Sequence, residues 1–122
     1  MVEITFYAAE CMEFPEQMGE LHENLTLPEA VDVYMWICRR NRSYGPGIGF
    51  VLQDGNIPDY SGTKWPLYQG RGIAQDMIDL IPAYRDHPLV KQALEDMKPH
   101  LEKLEGERKE GRGMERSGGL GR

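Results

Sequence analysis

Lysine and arginine are missing from the opening of this chain. The first basic residue is Arg39, and ahead of it stand eight carboxylates: Glu3, Glu10, Glu13, Glu16, Glu20, Glu23, Glu29 and Asp32. Nucleic-acid binding needs cations to neutralise phosphate, so direct contact with nucleic acid is not expected. Cysteine is scarce as well. Cys11 and Cys38 are the only two, without CxxC spacing. They are expected as reduced, largely buried thiols of a cytoplasmic protein, with a disulfide between them the less favoured alternative. His22, His87 and His100 are too scattered for a metal motif. No apolar run approaches the ~20 residues of a membrane span. The N-terminus carries Glu3 early and lacks the basic start of a signal peptide. No Ser-His-Asp, HExxH or paired CxxC pattern occurs. No catalytic residue, metal ligand or cofactor site is therefore assigned.

What is present is one domain's worth of chain: 122 residues with a net charge of −6. Its most punctuated stretch runs from Tyr44 to Gly72. Ile48–Leu52 is a short apolar run of strand type. Asp54-Gly55 is a hairpin-turn pair, and Pro58–Gly62 is a second turn cluster. Trp65–Gln69 can return as a partner strand, with Pro66 confining it to an edge or to the strand's first residues. Gly45, Gly47 and Gly49 lead from a helix into a strand, the wrong order for a phosphate-binding loop, and read as a tight turn.

Val2–Ala8 alternates with period two, placing Val2, Ile4, Phe6 and Ala8 towards a core and Glu3, Thr5 and Tyr7 away from it. The strand is expected to about Met12, with residues 20–25 as its hairpin partner. Thr26 and Glu29 form a capping box for a helix near 27–40, with Pro28 in its first turn. Leu27, Ala30, Val31, Tyr34, Ile37 and Cys38 make its buried stripe, and Trp36 follows that stripe less well. Arg39, Arg40 and Arg42 sit where cations favour the helix dipole. A helix near 74–84 would bury Met77, Leu80, Ile81 and Tyr84, shortened or distorted by Pro82. Another near 88–104 starts at Pro88, is kinked by Pro99 and buries Leu89, Val90, Ala93, Leu94, Met97, Leu101 and Leu104. The expected architecture is α+β over residues 1–104: three or four antiparallel strands packed against two or three helices. Residues 105–122, rich in Gly, Arg and Glu, are expected as a disordered tail or linker.

The stretches ITFYAAECMEFPEQMGELHENLTLPEAVDVY, GPGIGFVLQDG and DLIPAYRDHPLVKQAL resemble a small domain of mobile genetic elements of Firmicutes, the YodL-like and large polyvalent protein-associated domains. The similarity covers about residues 3–97. It implies an accessory, anti-restriction or anti-defence setting and transfers no catalytic residue.

Three functions follow as expectations. The first is a non-catalytic acidic binding protein of a mobile element. Its eight carboxylates would form one face for a basic nucleic-acid-binding host protein, such as a restriction or CRISPR nuclease. The second is an interaction module of a larger assembly, including self-association, through Tyr60, Trp65 and Tyr68; packing of Trp65 and Tyr68 in the core is the favoured alternative role for those two. The third is a small enzyme using Glu10, Glu13 and His22 beside Tyr7, with Glu23 as a metal ligand.

Overall fold

The period-two alternation that begins at Val2 produces the strand around which the sheet is assembled. The structure, a computed structural model, describes residues 2–40, 45–70 and 72–120, with side chains as far as 106. Its strands are β1 (Val2–Ala9), β2 (Leu21–Leu25), β3 (Gly47–Asp54), β4 (Lys64–Gln69) and β5 (Gly72–Ile73). All neighbours run antiparallel in the order β2-β1-β3-β4-β5, with β1 and β3 paired over eight positions from Val2↔Asp54 to Ala9↔Gly47. The helices are α1 (Leu27–Arg40), α2 (Gln75–Asp79), α3 (Pro82–Arg85) and α4 (Pro88–Leu120). The fold is α+β, as expected, with one strand and one helix more than the sequence suggests.

Each difference has a local cause. β5 is two residues long, too short to leave a periodic signal. β1 ends at Ala9, because Glu10 turns the chain into a loop that closes again at Glu20. Pro82 divides the expected 74–84 helix. It pushes Ile81 into an extended conformation (φ −114°, ψ 105°) and starts α3 at its own first position. The break also changes the buried face. Ile78, Ile81 and Tyr84 are buried, whereas Met77 and Leu80 point to solvent. The backbone of α4 runs through Pro99 and on to Leu120, past Leu104 where the sequence ends the domain.

α1 forms as its sequence dictates. The N–H of Glu29 donates to Thr26 Oγ1 at 3.3 Å, and the N–H of Thr26 donates to Glu29 Oε1 at 2.9 Å, a reciprocal capping box. The six residues of the expected stripe are buried, together with Met35. Against them pack Phe6 and Ala8 of β1, Ile48, Phe50 and Leu52 of β3, and Val90, Ala93, Met97 and Leu104 of α4. Tyr68 meets Tyr34 edge-on at 5.6 Å, and Phe50 meets Tyr84 at 5.1 Å. These arrangements add direction to what area burial supplies.

Part of the sheet's second face is covered too. Tyr7 is 2% exposed, not solvent-facing as its place in the alternation suggests. Its ring lies over Gly49, its cross-strand partner on β3, beneath the 10–20 loop. A glycine on the neighbouring strand leaves the ring a flat floor. Burial, with the charge of Glu16 added, pushes the phenol well above the usual tyrosine range. The β1–β2 pairing carries a bulge between Phe6 and Ala8, where Asn24 takes φ 57°. That bulge twists a short edge strand.

Candidate protein-binding surface

Five of the eight N-terminal carboxylates are engaged by partners within the fold. Glu10 is 7% exposed. Its backbone N–H donates to the Glu20 carbonyl at 2.9 Å, while its own Oε1 accepts from the Glu20 N–H at 2.9 Å. These two bonds close the neck of the loop, with Gly19 (φ 78°) packed against the carboxylate. Glu29 is committed to the capping box. Glu16 and Glu23 both bind Lys64, the latter at 3.0 Å. These contacts, the Glu16 bond foremost, raise the ammonium pKa. Glu20 accepts from Arg40 Nη1 at 2.8 Å and contacts His22 Nε2 at 3.0 Å. The His22 contact, with Arg40 behind it, holds the Glu20 carboxyl below its ordinary range. Glu3, Glu13 and Asp32 are exposed.

The mixed-sign cluster at the end of α1 has an aromatic centre. Trp36 is 43% exposed. Arg40 lies 4.4 Å above its ring and His22 meets it edge-on at 6.0 Å. Glu10, Glu20, Trp36, Ile37 and Arg40 line a depression of about 240 Å³ between α1 and β2. Its two carboxylates, Glu10 and Glu20, outnumber the one guanidinium, Arg40. Arg40 is held there in addition to its dipole role, and Arg42 lies outside the described residues.

The 10–20 loop has a different character. Its ends are joined at Glu10 and Glu20, its middle is held by Lys64, and the Met12 N–H donates to the Gly45 carbonyl at 2.8 Å. A compact loop closed at its neck is an Ω-loop. Its tip exposes Phe14 (47%) and Met18 (37%), with Glu13 beside them. Cys11, Met12, Phe14, Met18 and Gln69 are among the residues lining a depression of about 320 Å³ beneath the tip. Gln69 also borders a depression of about 510 Å³ lined by Ile73, Asp76 and Met77 at the start of α2. No local sequence signal marks this surface. Phe14 and Met18 belong to no periodic run, and Met77 was assigned to a buried stripe.

The three aromatics weighed for an edge contact divide, and Tyr68 takes the core role favoured for it. Tyr68 is fully buried against Tyr34 and makes no surface contact; the bulge at Leu67 places both residues inside. Trp65 is half-buried on Tyr84 at 5.8 Å. Tyr60 is 40% exposed, packs on Tyr84 at 5.7 Å, and its carbonyl accepts from the Tyr84 hydroxyl at 3.0 Å. The acid/base constellation does not assemble either. His22 shares the face of Ala8 and meets Trp36 of α1, whereas Tyr7 lies on the opposite face. Glu23, weighed as a metal ligand, is paired with Lys64. Cys11 and Cys38 are both buried.

A second polar pair lies inside the fold, and sequence reading missed it. Asp54 is 6% exposed, and its Oδ2 lies 2.8 Å from His87 Nε2. The N–H of Leu89 donates to His87 Nδ1 at 3.1 Å. That bond makes Nδ1 the acceptor, so Nε2 carries the proton and donates to Asp54. His87 thus caps α4 and ties it to the turn after β3. The Asn56 N–H, and then His87, hold the Asp54 carboxyl below its usual range. Neither ring nitrogen is left for a substrate.

Among the described residues no helix is long and apolar enough to cross a membrane. Comparison of the chain with protein-family models, curated proteins and solved structures finds no match.

Proposed function

We propose that this chain is a non-catalytic acidic binding protein whose partner is a basic, nucleic-acid-binding protein. On the resemblance to mobile-element domains, that partner is a host nuclease of the restriction or CRISPR type, and the activity is anti-defence. The observation that carries the reading is the surplus of solvent-facing carboxylates. Among the described residues exposed Asp and Glu outnumber exposed Lys and Arg, and the chain carries −6 overall. Such a surface steers a positively charged partner towards it and repels nucleic acid. Mimicry by all eight N-terminal carboxylates is too large a claim for this geometry. Glu10 and Glu29 serve the fold, and Glu16, Glu20 and Glu23 have cations of their own. Glu3, Glu13 and Asp32 are the N-terminal carboxylates that support recognition of an outside cation.

The test is capture from host lysate at low salt, with identification of retained proteins and assay of their nuclease activity. A retained nuclease that is inhibited, and released as salt rises, is the expected result. The combined variant Glu3→Lys, Glu13→Lys and Asp32→Lys should lose it. Retention of no nucleic-acid-binding protein would end the proposal. A second reading, an interaction module within a larger assembly, is favoured by the solvent-facing Phe14, Met18, Met77 and Leu80. A scattering mass above one chain would support it.

A further inference from the structure

His87 makes two hydrogen bonds that answer a single proton in opposite senses. It precedes Pro88, the first residue of α4. The first N–H groups of a helix have no partner within it. Pro88 has no N–H, and that of Leu89 donates to His87 Nδ1 at 3.1 Å. Across the ring, Nε2 donates to Asp54 Oδ2 at 2.8 Å. The side chains of His87 and Asp54 are 11% and 8% exposed, so water competes weakly for either bond. Asp54 also accepts the Asn56 N–H at 2.9 Å. Its carboxyl is held below the usual range, so it is ionised wherever histidines ordinarily change charge. Among the described residues Asp54 is the charged group in contact with the ring. In the turn after β3, Asp59 is exposed. On α3 and just after it, Arg85 and Asp86 are exposed and bonded to each other at 3.1 Å. Lys91, one turn along α4, is exposed, and its N–H donates to the His87 carbonyl at 2.9 Å. On β1, Glu3 is exposed opposite Gln53. Met1 lies outside the described residues.

We propose that His87 is a proton-operated switch at the head of α4: a proton on Nδ1 releases the Leu89 N–H and strengthens the bond to Asp54. A protonated imidazole donates from both nitrogens. Nδ1–H then faces the N–H of Leu89, donor against donor, at the end of the helix where the dipole is already positive. Nε2–H becomes instead a charge-assisted donor to a carboxylate. The neutral ring bridges α4 to the turn after β3. The charged ring holds the Asp54 side alone, and the first turn of α4 loosens. A Ser, Thr or Asn cap at this position would hold Leu89 without regard to pH. Pairing with a residue 33 positions away is what gives the helix cap a second, competing bond.

The experiment uses the whole chain, uniformly ¹⁵N-labelled and titrated from about pH 8 to about pH 5. Ring ¹⁵N signals report which nitrogen of His87 carries a proton. Amide exchange, corrected for its intrinsic pH dependence, reports Leu89, Asn56 and the core residues Val31 and Phe50. At the alkaline end Nδ1 should be bare. As it gains its proton, protection of Leu89 should fall about fivefold, the loss of one neutral hydrogen bond, while that of Asn56 should not fall. His87→Asn keeps a side-chain cap with no titrating nitrogen, so the Leu89 step should vanish. Asp54→Asn removes the carboxylate that favours the charged ring, so the step should move to lower pH. The switch is refuted if Nδ1 carries the proton at neutral pH, or if Leu89 stays protected while Nδ1 is protonated. A Leu89 step that survives in His87→Asn, or that follows the titration of the His22 ring, refutes it as well. So does opening of Val31 and Phe50 ahead of Leu89, because acid would then be loosening the whole fold. Should His87→Asn not fold, the titration of the parent chain decides by itself.

Discussion

Gly49 is the position where one methyl group tests the packing of the second sheet face. A Cβ added there would lie less than 3.0 Å from Cζ, Oη and Cε2 of Tyr7. The ring is 2% exposed, so it moves aside only by displacing what buries it. Overpacking of this kind costs about 1–3 kcal/mol. Against it stands a gain of about 0.4–1 kcal/mol, because alanine loses less chain entropy than glycine where φ is not positive. Gly49→Ala should therefore destabilise by about 1–2 kcal/mol. With a urea m-value near 2 kcal/mol/M, the midpoint falls by about 0.5–1 M. Tryptophan fluorescence and circular dichroism in urea measure it. In a Tyr7→Leu background the clashing ring atoms are gone, and the same alanine should be neutral or stabilising. Gly55→Ala, which meets nothing within 4 Å, controls for the entropy term. An equal cost for Gly49→Ala in both backgrounds would refute the packing of Tyr7 on Gly49.

Three further outcomes are expected. Thr26→Ala, which opens the capping box, should cost about 1 kcal/mol, and Glu29→Ala added to it should cost less than it does alone; additive costs would deny the reciprocal bonds. The Asp54 carboxyl is depressed in the folded chain, so its stabilisation is fully present above the ordinary carboxylate value of about 4 and is lost as pH falls through the lower folded value. Asp54→Asn should therefore be less stable at neutral pH and lose less on acidification below pH ~4, and an acid limb as steep as the parent's would contradict the Asp54–His87 contact. Lys64→Met should change global stability by less than about 1 kcal/mol, since its partners are largely exposed. Limited proteolysis within residues 13–18 should nonetheless quicken, and an unchanged rate would mean that Lys64 does not hold the loop.

Much of the frame was legible before any coordinates. The capping box at Thr26 and Glu29, the α1 stripe, the strand pattern of β1 and the turn after Asp54 are local signals, written within a few residues of where they act. Misreadings arose where a distant segment overrode the local pattern. Tyr7 stands on the polar phase of its strand, yet the Ω-loop covers it. Tyr68 is in the core, the role favoured for it from sequence, but the bulge at Leu67 and the ring of Tyr34 that enclose it are tertiary features. Met77 and Leu80 follow a helical period that Pro82 interrupts.

The candidate site divides in the same way. Its charge was countable in the sequence, because a net of −6 is independent of fold. Which carboxylates remain for a partner was decided by Lys64, Arg40 and the backbone of Glu20, groups up to 48 residues away in sequence. The depression beneath the Ω-loop tip brings Phe14 and Met18 to Gln69 of β4, and no local pattern encodes that meeting. Sequence alone determined the long elements, β1, β3, α1 and the start of α4, and the sign of the net charge, because these depend on neighbours along the chain. Tertiary structure alone decided which acids are spent and which apolar side chains face water, because pairing and burial depend on neighbours in space.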